Sequence, residues 1–65
     1  MRYAKLRGRI VEKFGKQAAF AAALGWREAL LSAKLNSKSE WTFDEVMAAC
    51  KLLEIPPSEA HLYFF

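Results

Sequence analysis

The chain has 65 residues, 54% of them hydrophobic, and a formal net charge of +3. A domain of that length buries only about 60% of its unfolded surface, so it needs a dense apolar core, a disulfide or a metal. One cysteine, Cys50, rules out an internal disulfide, and one histidine, His61, without partners at ligand spacing rules out a zinc site.

Helical spacing recurs along the chain and no run alternates apolar with polar residues. A first helix is expected over Tyr3 to Lys13, with Tyr3, Leu6, Ile10 and Phe14 forming an apolar stripe and Val11 beside it. Gly8 inside it is expected to admit a neighbouring backbone, and Gly15 to end the helix in the left-handed region. A second helix runs from Lys16 or Gln17 to Leu24, with Phe20, Ala21 and Leu24 on its inner edge and Gly25 as its stop. A third starts at Arg27 or Glu28 and ends near Asn36, with Leu30, Leu31 and Leu35 inward; neither Trp26 nor Arg27 is a favoured N-cap. Thr42-Phe43-Asp44-Glu45 is a capping box, and Trp41 with Val46 has the spacing of a hydrophobic staple. The fourth helix buries Phe43, Val46, Met47, Cys50 and Leu53, and Ile55-Pro56-Pro57 ends it. A short fifth helix is expected over Pro57 to Leu62, ahead of the apolar tail Leu62-Tyr63-Phe64-Phe65. The reading is one domain over residues 1–65, all-α, a compact bundle of about five short helices.

Charge is unevenly placed. Residues 1–16 carry six bases against the single acid Glu12, whereas residues 42–65 carry one base, Lys51, against Asp44, Glu45, Glu54 and Glu59. A basic end suits a polyanion, an anionic membrane surface or plain solvation. The longest apolar run, Ala18 to Leu24, is far short of the roughly 20 residues of a membrane span. Arg2, Lys5, Arg7 and Arg9 follow Met1 with no apolar block behind them, so no signal peptide is expected. With a single cysteine and no disulfide, a reducing, cytoplasmic setting is expected.

The segment from Gln17 to Asn36 carries the functional expectation. A helix-turn-helix joins two helices at a steep angle through a short turn that often holds glycine. Ala21, four residues before Gly25, is small enough for the helices to touch. Gly25 tolerates positive φ. Leu31, six residues after it, plugs the angle, and Gln17 can reach a phosphate. An ordinary helical hairpin is the plainer alternative.

The order Phe14-Gly15, Gln17-Ala18-Ala19-Phe20-Ala21 and Ala23-Leu24-Gly25 resembles the helix-turn-helix of lambda-repressor-like phage regulators. Leu31-Ser32-Ala33-Lys34-Leu35-Asn36, Trp41-Thr42-Phe43-Asp44-Glu45-Val46, Ile55-Pro56-Pro57 and Tyr63-Phe64-Phe65 resemble small Cro-like repressors of phages and prophages. Some of that group are described only as domains of unknown function. The resemblance implies a five-helix bundle binding operator DNA as a dimer. Three positions depart from it: Trp26 stands for a small aliphatic residue, Arg27 for Ser or Thr, and Asn36-Ser37 for Asn-Gly.

The expected function is a sequence-specific transcriptional regulator, not an enzyme, needing no cofactor and taking no small-molecule substrate. Arg27, Glu28, Ala29, Ser32, Ala33 and Asn36 are the candidate base readers on the third helix. Arg27 suits guanine or a phosphate; Glu28 suits the cytosine amine or a bond to Gln17; the alanines suit a thymine methyl. Lys16, Gln17, Lys34 and Lys38 are the candidate phosphate contacts, extended by Arg2, Lys5 and Arg9. Cys50 is expected to be buried, and His61 structural or on the surface. Tyr63, Phe64 and Phe65 are the candidate dimer interface, which would set two recognition helices ~34 Å apart on an inverted repeat. The alternatives are a protein-interaction module of antitoxin or anti-repressor type working through its C-terminal aromatic surface, and a membrane-surface peptide working through its basic first helix.

Overall fold

The computed structural model describes residues 3–65. It holds five α-helices in the order α1 (Ala4–Phe14), α2 (Gln17–Leu24), α3 (Glu28–Leu35), α4 (Phe43–Leu53) and α5 (Ala60–Phe64), with a 3-10 turn at Pro57–Glu59 leading into α5. No strand occurs among the described residues. The radius of gyration of 10.5 Å is close to the roughly 11 Å expected of a folded chain this long.

α1 packs on α2, α4 and α5; α2 also meets α3 and α4; α4 closes against α5. Leu6, Ile10, Phe20, Leu31, Leu35 and Leu53 are wholly buried at the centre, with Ala21, Val46, Ala49, Cys50, Ile55, Ala60 and Phe64 around them. Three apolar residues that the spacing places on or beside the buried stripes are outside: Leu30 is 40% exposed, Val11 57% and Phe43 75%. Leu30 and Val11 each sit one position off a helix stripe filled by a deeper neighbour, Leu31 and Ile10, whereas Phe43 is the first residue of α4, a turn before the buried Val46. Gly8 is exposed and a Cβ there would meet nothing within 4 Å, so the expected close approach of a backbone is absent.

Three helices end the same way. Beyond α2, α3 and α4 a residue in the left-handed region turns the chain, and the next amide reaches back to a carbonyl five residues earlier. These bonds are Trp26 to Ala21, Lys38 to Ala33 and Ile55 to Cys50, at 2.9, 2.8 and 2.9 Å. Glycine fills the left-handed position only once, at Gly25 (φ 79°); Ser37 (φ 61°) and Glu54 (φ 57°) fill the others. Helix starts are less regular. α4 has the full capping box: Thr42 Oγ1 accepts from the Glu45 amide at 3.2 Å and Glu45 Oε1 accepts from the Thr42 amide at 2.9 Å. α2 and α3 begin at Lys16 and Arg27 with no side-chain cap.

Candidate nucleic-acid interface

The elbow between α2 and α3 is assembled by three residues. Ala21 is 1% exposed and Leu31 is fully buried, so the small side chain and the plug both lie inside the angle. Gly25 turns the chain with a φ that L side chains rarely adopt. Its amide and that of Trp26 take up carbonyls at the end of α2, so the turn leaves these donors satisfied.

Burial of Leu31 and Leu35 fixes which face of α3 looks out. Arg27, Glu28, Ala29 and Asn36 are exposed on it, and Ser32 and Ala33 are half-buried. Lys16, at the start of α2, and Lys38, beyond the end of α3, are exposed; Gln17 is half-buried. No hydrogen bond joins Glu28 to Gln17 among the described residues. A cleft of about 520 Å³ opens beside the first turn of α3, lined by Gly25, Trp26, Arg27, Ala29 and Leu30.

Lys34 does not belong to this face. It is 4% exposed, and its Nζ lies 2.8 Å from Glu45 Oε1, donates to the Glu40 carbonyl at 2.8 Å and to Ser39 Oγ at 3.4 Å, and sits 5.6 Å from the centre of the Trp26 ring. The expected phosphate contact at Lys34 is therefore corrected: its charge is turned inward, tying α3 to the loop that follows and to the cap of α4. The Glu45 carboxyl answers it. Burial pushes this group up, but the bonds from Lys34 and the Thr42 amide outweigh that and hold it below its ordinary value.

The basic residues of α1 are also drawn into the fold. Arg7 Nη2 donates to the Leu35 carbonyl and to Asn36 Oδ1, both at 2.9 Å, at the negative end of α3. Arg9 Nε donates to the Leu53 carbonyl at 2.9 Å and its Nη2 to the Glu54 carbonyl at 3.3 Å, doing the same for α4. Lys13 pairs with the Glu54 carboxylate at 2.9 Å and, together with Arg9, lowers that group's pKa. Lys5 lies 5.1 Å from the Tyr63 ring centre. Expected phosphate contacts at Lys5 and Arg9 are thus engaged within the chain; Arg2 lies outside the described residues. The helix-ending arginines were missed as such because their partners are backbone carbonyls 28 to 45 positions away, which no local pattern displays.

The expected dimer trio divides. Phe64 is 4% exposed and packs edge-on against Trp41 at 4.9 Å, so it belongs to the core and is withdrawn as an interface residue. Tyr63 is half-buried and Phe65 is 90% exposed. Trp41 continues this aromatic row to Trp26 at 5.7 Å. A second cleft, of about 340 Å³, lies between Trp41, Phe43, Met47, His61 and Phe65. Cys50 is buried and burial raises its thiol pKa. No group of metal-ligating side chains occurs among the described residues.

Residues 1–65 match the family described as a protein of unknown function, DUF739. Among solved structures the chain is similar to the solution structure of the modulator of repression (MOR) of the temperate bacteriophage TP901-1 from Lactococcus lactis. The identity is 44% and the TM-score 0.88, over 97% of this chain and 85% of that one. No curated protein matches. The relative is a phage modulator of repression, where the sequence resemblance suggested a phage Cro-like repressor. The two agree on a phage regulator and differ on its kind.

Proposed function

We propose that this chain, which belongs to the DUF739 family, is a one-domain phage regulator that controls repression by placing α3 in the major groove of operator DNA. The observation that carries this reading is the α2–α3 elbow. Ala21 and Leu31 are buried inside it and Gly25 turns it, while Arg27, Glu28 and Ala29 stand exposed at the front of α3. Helix-turn-helix proteins read base edges from that end of the second helix. Lys16 and Lys38 flank it as exposed cations for phosphates, contributing affinity without sequence information. The similar phage protein is a modulator of repression, which supports a role in the same kind of switch. On an inverted repeat two copies would bind, with Phe65 and Tyr63 available between them.

Selection from a pool of random duplexes, followed by gel-shift titration at two salt concentrations, tests this. Tight binding that favours an inverted repeat and falls steeply with salt is expected. Weak binding, equal on every sequence, overturns the reading.

A second reading has its own observation. Phe43 and Phe65 are 75% and 90% exposed beside the cleft at Trp41, Met47 and His61. Exposed apolar surface of this kind marks contact with another protein. On that reading the chain modulates repression by binding a repressor. Substituting Phe43 and Phe65 by serine then abolishes regulation, while substituting Arg27 leaves it intact.

A further inference from the structure

The outward face of α3 is poor in groups that can read bases by hydrogen bonds. Asparagine reads adenine by accepting and donating at once. In this structure Asn36 Oδ1 already accepts from Arg7, at 2.9 Å, and Asn36 Nδ2 donates to Ser32 Oγ at 3.3 Å. One acceptor site of the Asn36 carbonyl oxygen, one of its two amide hydrogens and the Ser32 hydroxyl are thus engaged within the chain, which leaves Asn36 less free to pair with a base. Lys34 is turned inward to Glu45. What stands forward is apolar. Ala29 is exposed, Leu30 is 40% exposed and Ala33 half-buried, and Ala29 and Leu30 line the 520 Å³ cleft together with Trp26. Arg27, which lines the same cleft, and Glu28 are exposed beside them, and Lys16 before α2 and Lys38 beyond the end of α3 are exposed cations. Exposed apolar side chains beside an exposed arginine match the one apolar group that a base pair offers in the major groove, the thymine C5-methyl.

We propose, resting on the DNA reading above, that the operator half-site is recognised chiefly through thymine C5-methyl groups seated against Ala29 and Leu30. Hydrogen-bond readout is confined to Arg27 and Glu28. Covering Leu30 withdraws from water a side chain that the fold leaves half open, which is the source of the preference.

The test replaces each thymine of a selected duplex in turn by deoxyuridine, which keeps every hydrogen-bonding atom and removes only the methyl. With the full chain, binding is expected to weaken about fourfold at one or two positions per half-site, the effect of one buried methyl-sized group. In Leu30→Ala the penalty at one of these positions shrinks towards none, with an unchanged salt dependence. Leu30 is outside the core, and a melting curve checks that the variant folds. Selected duplexes that bind equally well with deoxyuridine at every position overturn methyl readout and leave DNA binding standing. Failure to select any duplex overturns both.

Discussion

The two ends of α3 are held on opposite terms. At the C-terminal end Lys34 is bound to Glu45 and the Glu40 carbonyl, Leu35 is buried with its carbonyl on Arg7, and Asn36 is held by Arg7 and Ser32. At the N-terminal end no side chain caps the first turn, and Arg27, Glu28, Ala29 and Leu30 face solvent. The buried Leu31, the turn at Gly25 and the half-buried Trp26, packed on Trp41, set that end in place. The hydrogen bonds and ion pairs that anchor this short helix are concentrated at one end, and the side chains at the other face solvent.

The heaviest test removes the plug. Leu31→Ala is expected to cost about 3 kcal/mol, since the side chain is wholly buried and leaves a cavity. In a domain this small that lowers the melting midpoint by about 15 °C, read by circular dichroism. A drop of only a few degrees would mean that the front of α3 is not held by this residue.

Breaking the back anchor comes next. Lys34→Ala should cost about 2 kcal/mol in urea unfolding, below the usual range for a buried pair because Glu45 keeps some solvent. Lys34→Met, which fills the same space but leaves Glu45 without its cation, should recover only the packing part of that. If Lys34→Ala is as mild as Lys38→Ala, the contrast between the two ends fails.

Acidification probes the same anchor from the other partner. The Glu45 pKa is lowered in the fold, so its contribution is fully present above the ordinary glutamate value and is lost as pH falls through the folded one. Stability measured from pH 6 downwards should decline in the acid range, and less steeply in Glu45→Gln. Equal slopes for both proteins would show the pair to be inert.

Ser37→Gly is expected to act in the opposite direction. Ser37 holds the left-handed turn behind α3 at φ 61°, a position where glycine avoids strain. A gain of about 0.5 kcal/mol is expected once the greater freedom of glycine in the unfolded chain is deducted. The smallest effect on stability belongs to Lys38→Ala, within about 0.5 kcal/mol, because the residue is exposed. Its consequence is instead a salt slope for DNA binding about one unit shallower on every sequence. A loss confined to one base position would place Lys38 among the readers.

Much of the fold was legible along the chain because its causes are local. The capping box at Thr42 and Glu45, the stop at Gly25 and the spacing of Ala21 and Leu31 depend on residues within one or two turns of each other, and each is found where the spacing sets it. The departure at Asn36-Ser37 was visible too, and Ser37 indeed stands in the left-handed geometry that glycine would fill. Reading the outward set on α3 was harder. Leu30 and Leu31 are adjacent and equally apolar, so periodicity over eight residues cannot say which faces in; packing of α2 against α3 chooses Leu31.

What the amino-acid sequence determined by itself is therefore the set of helices, the boundaries of the first four to within a residue or two, and the turn at Gly25; the fifth, expected over Pro57 to Leu62, is a 3-10 turn at Pro57–Glu59 followed by α-helix over Ala60–Phe64. Local hydrogen bonds, backbone preference and apolar spacing decide these, and all act at short range. Only the tertiary structure decided how the charges and aromatics are spent. Lys34 reads as a surface cation until Glu45 and Trp26 are brought against it, Arg7 and Arg9 until the ends of α3 and α4 arrive beside α1, and Phe64 as a free tail until Trp41 covers it. A long side chain takes its role from whichever group comes within its reach, and that is set by the packing of helices distant in the chain. The turn at Gly25 between α2 and α3 was legible; which side chains of α3 face solvent was fixed by the helices around it.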